Sequence, residues 1–262
     1  MVIFTRLLRQ FCNTGTIGGL MLGKWWKRPK VVPEVQFGPL EPEGNVIAIG
    51  DIHGRFDLLN KFAATTTAAQ IICLGDMIDR GEQSADVLRT LHELPDVISL
   101  MGNHEDMMLQ FIVNPVEKGE RWLRHGGLQT LASFGVSGVS QTSTGGELER
   151  ARDKLFAAMG EDLIDWVANL PKYWTSGNVA FVHAGADPLI AIEEQENRTL
   201  LWGHKDFGRV PRADGMWVVH GHTIVDTPVI RRGVVSIDTG AYATGNLTAA
   251  TILKGDVSFT YA

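Results

Sequence analysis

Residues 45–54 read Asn-Val-Ile-Ala-Ile-Gly-Asp-Ile-His-Gly, an apolar run that ends at a glycine and passes straight into an acid and a histidine. A short apolar run closed by Gly predicts a buried strand over Asn45–Ile49 with a polar turn after it. The same unit returns twice. Gln70–Leu74 leads into Gly75-Asp76-Met77-Ile78-Asp79-Arg80-Gly81, and Val97–Met101 leads into Gly102-Asn103-His104-Glu105. Helical patterns follow each unit, over Arg55–Ala69, Gln83–Leu94 and Glu105–Val113, the second with Val87, Leu88 and Leu91 at helical spacing. A βαβαβα series predicts an α/β fold with a parallel sheet and right-handed crossovers, in which ligands bind beyond the carboxyl ends of the strands. The three polar turns therefore share one edge.

The residues on that edge are hard ligands. Asp51, His53, Asp76 and Asn103 offer carboxylate, imidazole and amide oxygen, a mixture suited to Mn, Fe or Zn and unlike a thiolate-bound structural zinc. The glycine before each block lets the backbone turn sharply, and Asp76, central in order, is the natural bridge between two ions. Further on, His183 follows an apolar run at Val179–Val182 and His222 follows one at Trp217–Val219, so both again fall at strand ends. That makes six candidate ligands. His220, two residues before His222, reads as a core residue instead.

Between about Asn114 and Trp174 the pattern turns helical, with Glu147–Met159 and Glu161–Leu170 the clearest segments, and this stretch (114–177) is expected to form an insert beside the site. Gly135–Gly146, rich in Ser, Thr and Gly, reads as a loop. Strands are expected again at Val234–Ile237, Leu247–Leu253 and Val257–Tyr261, the last two joined at Lys254-Gly255-Asp256 as a hairpin. At 262 residues with 44% hydrophobic residues, the chain supports one sizeable core. The formal net charge of -6 argues against a nucleic-acid partner, because phosphate backbones are held by Lys and Arg. Two cysteines, Cys12 and Cys73, make no disulfide framework, and the sequence holds no apolar stretch long enough to span a membrane, so a cytoplasmic location is expected. The sequence leaves the oligomeric state open, with a monomer the simplest expectation.

The amino terminus differs from the rest. Met1–Lys30 carries Arg6, Arg9, Lys24, Lys27, Arg28 and Lys30 and no acid, and four prolines between Pro29 and Gly44 read as a linker. Residues 1–44 are thus expected to be tail and linker, and 45–262 the catalytic domain, with Met21 an alternative start. The basic residues around Trp25 and Trp26 suit weak contact with an anionic membrane surface.

The three blocks, together with Phe181-Val182-His183-Ala184-Gly185, Gly221-His222-Thr223 and Ile237-Asp238-Thr239-Gly240-Ala241, resemble the phosphoprotein phosphatase family of the calcineurin-like metallophosphoesterases. The resemblance is to its bacterial serine/threonine branch and to phage lambda phosphatase, and it runs from about Asn45 to Ala262. It implies a β-sandwich flanked by helices (α/β/β/α) around a βαβαβ metal-binding core. It implies two divalent ions, Mn first and Fe or Zn as alternatives, with Asp51 and His53 on one, Asn103, His183 and His222 on the other, and Asp76 and a hydroxide bridging them for in-line attack on phosphorus. His104 is implied as the acid that protonates the leaving oxygen, Asp79 as the carboxylate that orients it, and Arg80 and Asn103 as phosphate contacts. The implied substrate is a phosphoprotein or phosphopeptide. A diadenosine tetraphosphatase-like activity is the alternative, since that enzyme class shares these blocks. One departure stands out: where the family often has Leu-Trp-x-Arg, this chain has Leu201-Trp202-Gly203-His204, so His204 is expected to take the place of a second phosphate-binding arginine, with weaker binding at high pH. Trp122–Thr130 resembles a Gly-Gly stretch bordering the pocket, in which Arg124 and His125 are candidates of lower rank than solvated helix surface.

Overall fold

A computed structural model describes residues 37–62 and 69–262. The basic tail, most of the linker and the end of the first helix read from the sequence lie outside the described residues.

Strands β1 (Val46–Ile49), β2 (Gln70–Cys73) and β3 (Val97–Ser99) pair in parallel, each followed by a helix: α1 (Phe56–Phe62), α2 (Ser84–His92) and α3 (Asn103–Val113). Between α3 and the next strand come α4 (Pro115–Trp122), a single π-type turn over Leu123–Gly127, α5 (Leu128–Ser133), α6 (Gly146–Met159) and α7 (Glu161–Ala168). Strand β4 (Tyr173–Ser176) then pairs antiparallel with β5 (Val179–Val182) around Gly177, whose φ is +56°. The run Tyr-Trp-Thr-Ser is therefore a strand at the end of a stretch read as helical, because aromatic and β-branched residues before a left-handed glycine favour a hairpin.

Helix α8 (Asn197–Trp202) follows, then β6 (Trp217–His220), β7 (Val229–Arg231), β8 (Val234–Ser236), α9 (Ala241–Thr244), β9 (Thr248–Leu253) and β10 (Asp256–Tyr261). The first sheet runs β10-β9-β1-β2-β3 and the second β4-β5-β6-β8-β7. Within the second, β5, β6 and β8 are parallel. The hairpin expected at Lys254-Gly255-Asp256 joins β9 and β10, with Gly255 at φ +74°.

Alternation along each strand builds the layers. Val46 and Ala48 of β1 face Val179 and Phe181 of β5 across the core between the sheets, with Ile72, Val219 and Val235. Ile49, on the opposite face of β1, packs instead with Leu58, Leu88, Phe111 and Trp122 under the helices. In β5 the other two residues, Ala180 and Val182, meet Ile192 and Leu200 on the far side of the second sheet. The strand is buried on both faces, so it reads as a continuous apolar run and not as an alternating one. Helices thus flank two mixed sheets, and the carboxyl ends of five parallel strands, β1, β2, β3, β5 and β6, each lead into a candidate site residue.

Candidate active site

The loops after β1 and β2 are stitched to each other before any ligand is considered. The N–H groups of Ile52 and His53 both donate to the Asp76 carbonyl (3.1 and 2.8 Å), and that of Gly54 to Met77 (2.8 Å). Glu105, buried on the first turn of α3, gathers four more: its carboxylate accepts the N–H groups of Gly102 (2.9 Å), Asp76 (3.0 Å), Met77 (2.8 Å) and Ile78 (3.2 Å). Its place in the Asn-His-Glu block is visible in the sequence, but its role as the anchor of two loops is not. Burial and the neighbouring Asp76 raise this carboxyl to about 7, against the pull of those N–H groups.

The glycines act differently from the sequence reading. Gly75 does take a left-handed φ of +94°, but Gly102, at φ −98°, turns in an ordinary way. It must be glycine because a Cβ there would lie 2.2 Å from Asp76 Oδ1, and Gly221 is barred from a side chain by Asp51 in the same manner. The backbone strain sits one residue further along. His53, Asp76, Asp79, Arg80 and His222 all have φ between +45° and +71°, a conformation that non-glycine residues seldom adopt and that collects at functional sites.

Asp76 is the centre of the constellation. Its Oδ1 lies 3.3 Å from His183 Nε2, and its Oδ2 lies 3.6 Å from His53 Nε2 and 3.8 Å from His104 Nε2. His53 donates Nδ1–H to the Ile78 carbonyl (2.8 Å) and His183 to that of Leu74 (2.9 Å), which fixes both tautomers with the Nε2 lone pair facing inward. At His183 Nε2 this creates a conflict, since Asn103 Oδ1 lies 2.9 Å away and Asp76 Oδ1 is nearby, so that three lone pairs converge. A proton does not resolve it, because burial lowers the basicity of His183. Burial likewise brings His53 down to about 3 and, with His183 beside it, His222 to about 4, leaving neutral imidazoles suited to cation binding.

The second group forms around His183 and His222, whose rings are 5.0 Å apart. The His222 N–H donates to both Asp51 oxygens at 3.0 Å, so Asp51 joins the two halves. Burial, Asp238 and Asp76 together raise the Asp51 carboxyl well above its usual range, and burial raises Asp238 to about 6. Among the described residues no lysine or arginine forms an ion pair with Asp51, Asp76 or Asp238, although Arg80 acts on Asp51 and Asp238 through space. Two groups of side chains, His53, Asp76 and His104, and Asp76, His183 and His222, each place their donor atoms within 4.8 Å of one another, with Asp76 shared. The donor set fits divalent cations.

Beside this centre stands an acid pair. His104 Nδ1 lies 2.6 Å from Asp79 Oδ2, and Asp79, fully buried, also accepts from Trp122 Nε1 (2.9 Å) and Thr130 Oγ1 (2.6 Å). Burial opposes the imidazolium, but Asp76 and Asp79 outweigh it and raise His104 above its ordinary value. Burial also raises Asp79 despite those hydrogen bonds. Arg80 reaches within 3.3 Å of His104 Nε2, and its guanidinium rests 4.5 Å above the Tyr242 ring. Asp79 and Arg80 therefore face different partners and do not form a surface ion pair.

Other sequence candidates land elsewhere. His204 sits with Asp187 (Nε2–Oδ2 3.7 Å), and among the described residues no hydrogen bond or ion pair joins it to the six ligand candidates. His220 is buried against Ser236 Oγ (2.6 Å) and the Gly221 carbonyl (2.8 Å), as a core histidine should be. Arg124 pairs with exposed Glu120 (2.6 Å), whereas His125 lies with its ring 6.5 Å from that of His104. Trp122, Thr130 and Tyr242 were not separable as site residues from the sequence. The double glycine was the only signal: Gly126, at φ +113°, carries the π-type turn beneath Arg80 and accepts its N–H (3.3 Å).

Residues 44–156 match the family model described as calcineurin-like phosphoesterase. Over that segment, which bears Asp51, His53, Asp76, Asn103 and His104, the chain is similar to the calcineurin-like metallophosphoesterases. Its relatives divide between two substrate classes. Serine/threonine-protein phosphatase 2 of Salmonella typhimurium (strain LT2) is 26% identical over 78% of this chain and 91% of its own length. The asymmetrical bis(5'-nucleosyl)-tetraphosphatase PrpE of Anoxybacillus flavithermus is 27% identical over 77% and 87%. A symmetrical bis(5'-nucleosyl)-tetraphosphatase from Aromatoleum aromaticum is 28% identical over 55% of this chain, which spans only 45% of that relative. In structure, a protein described as a candidate diadenosine tetraphosphatase superposes with a TM-score of 0.60 at 19% identity, covering 84% of this chain and 94% of the other, which establishes a shared fold. Among the described residues no helix is long and apolar enough to cross a membrane.

Proposed function

We propose that this chain is a two-metal phosphomonoesterase acting on phosphoproteins or phosphopeptides, on phosphoserine and phosphothreonine first. The carrying observation is the placement of the His104–Asp79 pair (2.6 Å) and the Arg80 guanidinium against the Asp76 carboxylate and its three imidazoles. Asp51, His53, Asp76, Asn103, His183 and His222 would hold two divalent ions, manganese first. When bound, such ions lower the pKa of water towards neutrality and offset the charge of the phosphate oxygens.

The protein residues account for the remaining requirements. Arg80, planar and free of carboxylate partners, forks onto two phosphoryl oxygens and orients phosphorus for attack in line with the ester oxygen. His104 presents Nε2 to the leaving oxygen and gives it a proton. Asp79 holds Nδ1–H, fixing the ring and stabilising its charged form, while Trp122 and Thr130 keep Asp79 from turning. The catalytic domain spans 45–262 on this reading, with a cytoplasmic location.

The likeness to the Salmonella phosphatase across nearly its whole length supports the phosphoprotein substrate. The comparable likeness to PrpE supports the second reading, a dinucleoside polyphosphate hydrolase. Side-by-side hydrolysis of phosphoserine peptides and diadenosine tetraphosphate with Mn tests the choice. The phosphopeptide is expected to react faster, and a hundredfold preference for the dinucleotide would overturn the assignment.

A further inference from the structure

Arg80 is not the sole guanidinium held on an aromatic ring at this site. Arg121, at the end of α4, rests 4.5 Å above the Trp202 ring, and Trp202 in turn lies edge-on to His222 with ring centres 6.3 Å apart. On the other flank Arg80 rests 4.5 Å above Tyr242, whose ring lies 5.3 Å from that of His53. The cluster is thus bracketed by two arginine–aromatic pairs, one over each half. Just past α4, His125 donates from Nδ1 to the Arg121 carbonyl (2.7 Å), and its ring lies 6.5 Å from that of His104.

Arg121 has no structural duty that consumes its charge. Among the described residues its guanidinium forms no hydrogen bond or ion pair. The adjacent Glu120 is taken by Arg124 (2.6 Å), and Asp106, the carboxylate it influences electrostatically, accepts from Gln110 (2.7 Å). What links Arg121, an exposed residue, to the cluster is Trp202, which carries its guanidinium on one side and meets the His222 ring edge-on. A guanidinium stacked on an indole keeps its plane fixed while its edge N–H donors stay free. His204, close to Trp202 in sequence, is turned to Asp187.

We propose that Arg121, brought in by α4, is a second phosphate-binding guanidinium: it takes a phosphoryl oxygen of the substrate on the His222 side while Arg80 takes those on the His53 side. This rests on the phosphoesterase reading above, and its test separates the two. Orthophosphate binding to Mn-loaded protein is measured by calorimetry for the parent, Arg121→Ala and Arg121→Lys, alongside kcat and KM for para-nitrophenyl phosphate and Tm. Loss of a charge-assisted contact is expected to weaken phosphate binding and raise KM about tenfold in Arg121→Ala, with kcat within about twofold and Tm unchanged. Arg121→Lys should recover only part of the loss, because a point charge neither stacks nor forks. Phosphate affinity and KM equal to the parent's would overturn the proposal, as would a lowered Tm with both unmoved, the signature of a purely structural arginine. A parent that binds phosphate but does not turn over ester would sink the phosphoesterase reading alone, leaving Arg121 to be judged by the isotherms. No phosphate isotherm in the parent would overturn both.

Discussion

The two halves of the cluster are built to different specifications. The half on the first sheet, with Asp51, His53, Asp76, Asn103 and His104, sits on loops that bind one another through backbone groups and through Glu105. The half on the second sheet consists of single histidines at the ends of β5 and β6, and each is positioned by the first half: His183 by the Leu74 carbonyl and His222 by the Asp51 carboxylate. The first half should therefore hold its shape alone, and the second should depend on it. Asp76 belongs to both, so the largest effect is expected there. Asp76→Asn should reduce hydrolysis of para-nitrophenyl phosphate to the level of the parent treated with chelator, and restored activity on adding excess Mn would show that the shared carboxylate is dispensable.

Next in size is the acid pair, which belongs to the first half alone. His104→Asn should lower kcat about a hundredfold to ten-thousandfold. The loss should be greater for phenyl phosphate than for para-nitrophenyl phosphate, whose leaving group needs no proton. Equal losses for the two esters would remove His104 from the acid role. The pH dependence follows from sign. Asp76 and Asp79 outweigh burial and raise His104, so the imidazolium persists above the ordinary histidine range and is lost on the alkaline side. The alkaline limb of kcat should thus shift to lower pH in Asp79→Asn, and a limb that stays in place would assign it to another group.

The same contrast explains what could be read in the sequence. The first half was legible because parallel strands buried on both faces leave continuous apolar runs, and each run ends in a block where ligand, glycine and helix start are neighbours in the chain. His183 and His222 were legible only as histidines at strand ends, whereas His220 is the last residue of β6 and bonds Ser236. What the sequence could not show are contacts across long separations: Trp122 and Thr130 reach Asp79 from 43 and 51 residues away. Gly119 within α4 and the left-handed Gly126 after it also broke the helical pattern that carries Arg121. Strand β7 is short and exposed along its length, so no apolar run marks it.

Glu105 gives a moderate effect. Glu105→Gln keeps the volume but replaces one acceptor oxygen by a donor facing backbone N–H groups, so the loops of Asp76 and Gly102 should loosen together. Metal affinity is expected to fall about tenfold to a hundredfold, as when a group that orients ligands is removed. Calorimetric titration with Mn measures this. If one of two binding steps were lost and the other left intact, the loops would be independent and the idea of a self-supporting first half would fail.

The smallest effect concerns the floor beneath that half. Cys73 ends β2, fully buried, one residue before the Leu74 carbonyl that holds His183, and burial pushes its thiol up to about 12 from 9.0. The folded thiol stays protonated where the unfolded one ionises, so this group's contribution to stability is intact below about pH 9 and declines as pH rises beyond it. In a Cys12→Ser chain at pH 8, no thiol should react with a disulfide reagent until denaturant is added, because the thiolate is the nucleophile and no path reaches it. Chelation decides what this means for the two halves. If backbone bonds and Glu105 hold the first half without help, removing the metals should leave Cys73 silent. Exposure of Cys73 on chelation would instead show that the ions hold the first half together, and that both halves depend on them alike.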